Sequence, residues 1–485
     1  MIEHVDPFIG SSVTDLPVPQ GLAETWWWPK RQVGNTHHLK ANGDPMIEAL
    51  QSRTSGRPFQ RRLVIVVRAD PVICGHSGEA RNLAEVALQR GFTEVRIISW
   101  PLELLANSGL PLKPLDGVLP YSEGIEVERP EPVGDYKVPD GRHLAGMTGR
   151  LVELFTEGTP TVCMSLYLSP HTLAVTEALR VARSTGLPVN VKTIAEAVGS
   201  DVTNVVRSCA GDGRFGAAAQ VLSSYLDSDL PVAVSEYTKE LIISSAAEID
   251  ARHGTCFAER CRRQVTISYP AINTPDYLHV CPEEMAEVLG RRQLVRNRYV
   301  LYLSRLARAK GVDDLIRGFA KSAACRDLTL VIAGNGPEAQ HLRELAAASS
   351  AAARIRFLND VDDGEKPHVM AGCAAFVLPS KPRPEFVETF GIALVEKMLT
   401  GGGPVITTDT GGIGEAVGDT AMIIPVSAPD SIATVLDQAV TLPDEERIIM
   451  AERARQHALQ FDRTQVFDRL LGRLAEVTER ELSLI

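Results

Sequence analysis

The residues of this 485-residue chain best suited to chemistry lie in one stretch, 376–412. Glu388 and Glu396 stand there with seven residues between them, and Phe390-Gly391-Ile392 lies in the gap. An apolar run, Phe376-Val377-Leu378, ends at Pro379-Ser380, and a Pro-rich loop from Lys381 to Glu385 follows. Glu388 comes next, then a short helical pattern that contains Glu396 and stops at Gly401-Gly402-Gly403, before a new apolar run at Val405. The order predicts strand, loop, helix, loop, strand. The first amides of a helix have no internal partners and carry its positive end, so the N–H groups at Gly391-Ile392 suit a phosphate. Two carboxylates flanking such a cradle accept hydroxyl protons. The combination suits a sugar joined to a diphosphate; it equally fits an ordinary strand–helix unit with both glutamates in water.

The elements that must position these residues follow from the pattern of apolar runs. Leu63–Val67 is a continuous buried-strand run, followed by the loop Cys74-Gly75-His76-Ser77-Gly78 that opens a helix, and Val95–Ser99 is the next strand. The loop does not spell GxGxxG, so a dinucleotide fingerprint is absent. Strand runs at 161–166, 188–193 and 231–235 alternate with helical ones, which predicts a doubly wound parallel sheet. A second alternating set begins at Tyr299–Leu303, carries Arg305 and Lys310, and continues through Leu328–Ala333 to Gly334-Asn335-Gly336. The reading is an α/β chain of two Rossmann-like domains facing a central cleft. Residues 1–60 form an N-terminal arm, 61–273 an acceptor domain, 274–455 a donor domain and 456–485 a C-terminal helical segment. Trp26-Trp27-Trp28 reads as an anchor of the arm onto the domain behind it. The Pro/Gly-rich stretch 101–145 is expected to form mobile excursions, and 274–297 an irregular hinge. Ligands bind outside the carboxyl ends of such strands. Arg305, Lys310, Gly334, Gly336, Glu388 and Gly391 all follow strands of the second domain, and Gly75–Gly78 follows one of the first. They converge on one cleft, which a set of solvated loops does not explain.

Composition narrows the partners. A net charge of −11 argues against nucleic acid or an anionic membrane as the main partner, so phosphate-binding cations must be local. The eight cysteines are scattered without CxxC, which fits a reducing cytoplasm. Cys256 and Cys261 with His253 match no zinc module. No signal peptide pattern opens the chain and no apolar run approaches ~18 residues.

Several ordered motifs together make the chain similar to retaining glycosyltransferases of the GT-B fold, glycosyltransferase family 4, over roughly residues 61–425. The carriers are Ser304-Arg305-Leu306-Ala307-Arg308-Ala309-Lys310-Gly311, Val331 to Glu338, Glu388 to Glu396, Thr410-Gly411-Gly412-Ile413-Gly414-Glu415 and Val234 to Lys239. The resemblance implies that Arg305 and Lys310 bind the diphosphate of a GDP- or UDP-linked sugar. It implies that Glu396 holds the ribose, Glu388 the donor sugar, and the backbone of Phe390-Gly391-Ile392 sugar and phosphate, with Gly334 and Gly336 alongside. Gly78 is to approach the phosphate from the first domain. Relatives carry a histidine after a first-domain strand, close to the donor sugar; the comparable place here is Ser165 to His171, making His171 a catalytic candidate. The Gly199-Ser200-Asp201 turn resembles one lining the acceptor cleft. The implied mechanism needs no protein nucleophile, metal or other cofactor, and Asp227-Ser228-Asp229 and Asp360-Val361-Asp362 are read as loops that mimic a DxD metal motif. The expected partners are a nucleotide-sugar and a small soluble acceptor, with room for a homo-oligomer. A further similarity, to the S-glycosyltransferases of lincomycin assembly, implies bacterial antibiotic biosynthesis and the thiol ergothioneine as acceptor. Two rival functions stand beside this: a nucleotide-sugar-binding protein without transfer, and a nucleotide-sugar epimerase, which the spacing of the glutamates matches poorly.

Overall fold

The computed structural model describes residues 60–134 and 139–483. Trp26 to Trp28 lie outside the described residues.

Seven parallel strands form the first sheet, in the order β3-β2-β1-β4-β5-β6-β7. They are β1 Arg62–Val66, β2 Glu94–Ile98, β3 Ile125–Glu128, β4 Thr161–Leu166, β5 Val191–Ala197, β6 Leu230–Ala233 and β7 Thr266–Ile267. Six more form a second parallel sheet, β10-β9-β8-β11-β12-β13. These are β8 Tyr299–Leu303, β9 Thr329–Ala333, β10 Ile355–Leu358, β11 Ala375–Leu378, β12 Val405–Thr408 and β13 Met422–Ile424. Both domains are Rossmann-like, as the alternation of runs requires.

Period two explains the apolar run Leu63–Val66 of β1. Leu63 and Ile65 point into one core layer with Leu83, Val86 and Ala87 of the Gly75–Gln89 helix. Val64 and Val66 point into the opposite layer with Leu151, Phe155 and Val175. A strand covered on both faces favours such a run, and Arg62 at its start, 4% exposed, is paired with Glu94 at 2.8 Å. The C-terminal helix Arg463–Ser483 returns to the first sheet. Its Val466, Phe467, Leu470 and Leu474 complete the first-domain core. Phe467 meets Phe92 edge-on at 5.8 Å, and Arg90 grips Asp468 with two bonds of 2.7 Å.

Two stretches differ from expectation. Residues 101–145 hold the Leu102–Asn107 helix and the edge strand β3, registered against β2 from Val95↔Ile125 to Ile98↔Glu128. Ile-Glu-Val-Glu pairs on one side only, so it needs no continuous apolar run to be stable and does not announce itself. The hinge 274–297 holds two helices, Thr274–Leu278 and Pro282–Arg291, each with Pro in its first turn.

Candidate active site

The stretch 376–412 folds as strand, loop, helix, loop and strand. β11 ends at Leu378, and the Ile392–Thr400 helix begins at Gly391, whose φ is +102°. A side chain there would be strained and would stand 2.9 Å from Leu394 Cδ1. Among the described residues no side chain caps the first amides of this helix. The Phe390 ring is 2% exposed and turns away, against Phe461 at 5.0 Å and Tyr269 at 5.6 Å. Only its backbone is left for a ligand. Glu388 is buttressed from behind, its carbonyl accepting from Gly412 N at 3.0 Å.

Lys310 Nζ donates to Glu388 Oε2, and the two side chains are only 9% and 10% exposed. Lys310 sits on the turn Arg308–Lys310 just before the Val312–Lys321 helix. Arg305 is exposed and has no carboxylate partner among the described residues. Phe386 lies beneath both cations, 5.7 Å from the Arg305 guanidinium and 5.5 Å from Lys310 Nζ. Gly334 and Gly336 support Arg305 from below. A Cβ at either would stand 2.1 Å from Ser304 O or 2.3 Å from Leu306 O. Leu306 N donates to Asn335 O at 2.8 Å, and Tyr302 Oη to Arg305 O at 2.9 Å. These glycines are therefore explained by loop-on-loop packing. Glu396 is 7% exposed and accepts from Tyr277 Oη at 2.7 Å and Lys366 Nζ at 2.6 Å. Burial, then the neighbouring Glu396 charge, pushes the Tyr277 phenol well above its ordinary range, so it remains a donor.

The first domain presents a second helix start to the same place. The Gly75–Gln89 helix also lacks a side-chain cap. A Cβ at Gly75 would stand 3.0 Å from Ile392 Cδ1, so two uncapped helix N-termini from separate sheets meet across the cleft. The close approach belongs to Gly75. Gly78 sits in that helix's first turn, exposed, with nothing within 4 Å of a Cβ placed there. The clamp between domains comes from Glu415, whose carboxylate accepts from Glu236 N at 2.8 Å and Tyr237 N at 3.1 Å. It caps the first-domain helix Glu236–His253 from the other sheet.

His171 is not brought to the cleft surface. It is 1% exposed, with Nδ1 2.8 Å from Leu166 O and Nε2 3.1 Å from Trp100 Nε1. Indole N–H only donates, so Nε2 accepts and Nδ1 carries the proton. Both nitrogens are spent, and burial pushes the pKa down to about 4. The ring anchors the loop leaving β4 rather than facing the cleft. Asp201 ties the neighbouring turn to the same loop, accepting from Leu168 N and Gly199 N at 2.9 Å each. Behind the Gly75 loop, Glu79 and Glu196 are 3% and 1% exposed, and with His76 they place ligand atoms within 4.8 Å of one another. Burial pushes both carboxyls up, and Glu79 Oε2 and both Glu196 oxygens have no hydrogen-bond partner among the described residues; a proton held between the two carboxyls relieves their repulsion. The aspartates of the two DxD-like triplets are engaged structurally: Asp229 by Lys192 at 2.9 Å, Asp360 by Arg292 at 2.8 Å, and Asp362 by Glu365 N at 2.8 Å. His253 stacks on Phe215 at 4.2 Å, with Cys256 exposed and Cys261 buried.

Sequence reasoning did not single out Phe386, Tyr277, Lys366, Arg68 or Tyr167. Phe386 had a usable signal, as the one aromatic residue in the loop before Glu388. Tyr277 and Lys366 reach Glu396 from a hinge helix and a short helix far away in sequence, where no spacing rule applies.

Comparison with known proteins fits this geometry. Residues 291–457 match the family model described as Glycosyl transferases group 1. The D-inositol 3-phosphate glycosyltransferase of Salinispora tropica is 31% identical over 39% of this chain and 42% of its own length. The alpha-D-kanosaminyltransferase of Streptomyces kanamyceticus is 25% identical over 45% of this chain and 58% of its own. The chain spans about half the length of the curated relatives it matches. Among solved structures, Anabaena HepE in complex with UDP and glucose superposes with a TM-score of 0.61 at 18% identity, covering 86% of this chain and 99% of that one. A glycosyltransferase from Rickettsia africae gives 0.62 at 16%, with coverages of 86% and 99%. The fold is GT-B. The second half of the chain carries a glycosyl transferases group 1 domain, the class that cleft and cations define. Among the described residues no helix is long and apolar enough to cross a membrane.

Proposed function

We propose that the chain transfers a sugar from a UDP- or GDP-linked donor to a small soluble acceptor, with retention of anomeric configuration and without a metal. The observation that carries this reading is the meeting of two uncapped helix N-termini beside Lys310, Arg305 and Glu388. A departing nucleoside diphosphate gains negative charge, and fixed cations and amide dipoles aimed at it lower the barrier. Lys310, Arg305 and the Ile392 amide supply the positive charge that a metal provides in other transferases. Glu396 takes the ribose hydroxyls with the oxygen left free by Tyr277 and Lys366, and Glu388 takes a hydroxyl of the sugar. The bond from the anomeric carbon to the phosphate oxygen breaks. The bond to the acceptor forms on the same face, and the acceptor proton passes to the leaving phosphate.

The complex of HepE with UDP and glucose supports a nucleotide donor in a cleft of this fold. Two Streptomyces kanamyceticus relatives, by name an alpha-D-kanosaminyltransferase and a 2-deoxystreptamine glucosyltransferase, support an acceptor from bacterial secondary metabolism. We place the reaction in the cytoplasm, where nucleotide-sugars are made, and keep a thiol such as ergothioneine among the acceptors to be tried. The test is incubation with UDP- and GDP-sugars and mixed acceptors, read by melting temperature, mass spectrometry and the anomeric coupling of the product. Nucleotide stabilisation with a new retained glycoside is expected. No shift with either nucleotide and no donor consumption would sink the proposal.

A further inference from the structure

The first-domain wall carries a cation that the donor site does not use. Arg68 follows β1, two residues beyond Val66, and is half-buried. Among the described residues no hydrogen bond or carboxylate partner is formed by its guanidinium. It lies 5.1 Å over the Tyr167 ring. Tyr167 in turn lies 6.4 Å from the His76 ring and 6.3 Å from His171, and Ser200 is held near it, its neighbour Asp201 accepting from Leu168 N at 2.9 Å. The backbone of Tyr167 has φ +110°, a left-handed conformation rare for an aromatic residue. Such strain persists where the surroundings over-determine it, and here Asp201 and His171 both clamp the loop that carries Tyr167. Arg68 follows β1 of the first sheet, and Arg305 follows β8 of the second. A half-buried guanidinium with no counter-charge is costly unless an anion completes it. The second domain already surrounds the donor's diphosphate with Lys310, Arg305 and the Ile392 amide. Arg68, stacked on Tyr167, is a further cation on the first-domain wall, free to take a second anion.

We propose that Arg68, with Tyr167 and Ser200, binds a carboxylate or phosphate carried by the acceptor. This rests on the glycosyltransferase reading above and specifies its acceptor as anionic. A planar guanidinium suits either group through two parallel N–H bonds, and the flanking hydroxyls add two donors.

The test uses the full chain saturated with UDP or GDP, so that Lys310 and Arg305 are occupied. Inorganic phosphate and malonate are then titrated separately by calorimetry. The wild-type nucleotide complex binds phosphate, malonate or both; phosphate alone marks a phosphorylated acceptor, malonate alone a carboxylate one. Arg68→Gln weakens that binding by about tenfold or more while leaving the UDP or GDP melting shift in place, and Arg68→Lys falls between the two. Failure of the wild-type complex to bind either anion overturns the proposal, and needs no variant to fold. Equal anion binding by wild type and Arg68→Gln overturns it as well. So does a matching loss of nucleotide affinity in Arg68→Gln, because Arg68 then belongs to the donor site. A wild-type chain that shows no nucleotide shift at all sinks the underlying reading instead, so the two failures are distinguishable.

Discussion

Removing Lys310 separates its two roles. In Lys310→Ala the Glu388 carboxylate, 10% exposed, loses its cation. An uncompensated charge of this kind costs about 3–5 kcal/mol when fully buried, and access of cleft water to Glu388 places the cost near the lower end. The same substitution removes a cation from the leaving diphosphate, for which a loss of roughly 10²–10³ in rate is expected. Adding Glu388→Gln removes the orphaned charge. The double variant is therefore expected to recover most of the stability, to within about 1 kcal/mol of Glu388→Gln alone, while turning over donor no faster than Lys310→Ala. Denaturant midpoints and donor consumption, measured on the same four proteins, give both quantities. If Glu388→Gln restores activity to Lys310→Ala, Lys310 only neutralises Glu388, and its assignment to the diphosphate is wrong. If Lys310→Ala costs less than about 1 kcal/mol, the pair behaves as a solvated surface pair and the argument from burial fails.

His171→Gln is expected to lower stability by about 1–3 kcal/mol, through two lost buried hydrogen bonds, with turnover near wild type; a rate loss above about 10²-fold with stability intact would put His171 back among the reacting groups. The Glu79–Glu196 pair makes stability depend on pH. Folded-state values raised above the ordinary carboxyl value of 4.5 mean that the stabilising proton is fully held below that value and lost as pH rises toward the folded value, about 7 for Glu79. Glu196→Gln should therefore gain stability relative to wild type at about pH 8 and lose that advantage at about pH 5, and a flat difference between the two conditions would contradict the shared proton. Gly334→Ala places a Cβ against Ser304 O and should displace Arg305, lowering nucleotide affinity about tenfold or more with the fold retained. Unchanged affinity would show that the Arg305 loop tolerates the shift.

The parts of this site that could be read from the sequence were those held within one strand–loop–helix unit. Glu388, Gly391 and Glu396 lie on a single such unit, so local rules for strand ends and helix starts place them. Lys310 and Arg305 follow from the same logic on the neighbouring strand. What escaped depends on contacts between distant segments. That Lys310 meets Glu388, or that Tyr277 and Lys366 meet Glu396, is a product of sheet order, and nothing in spacing encodes it. A histidine after a strand, such as His171, looks the same in sequence whether its ring faces the cleft or packs behind Trp100. Gly334 and Gly336 drew attention as ligand glycines, and the packing of their loop on Ser304 and Leu306 is an equally strict demand for the absence of a side chain. β3 and the hinge helices were missed because an edge strand and short helices bury too few residues to leave a periodic trace.

The proposed site has the two helix starts at Gly75 and Ile392 enclosing a nucleoside diphosphate. A structure of the full chain with UDP or GDP tests it most directly. Diphosphate oxygens are expected within about 2.7–3.2 Å of the Ile392 amide and of Lys310 Nζ, with the ribose hydroxyls on Glu396. A nucleotide bound elsewhere, or in the cleft with its phosphates turned away from Lys310 and the Ile392–Thr400 helix, would contradict it.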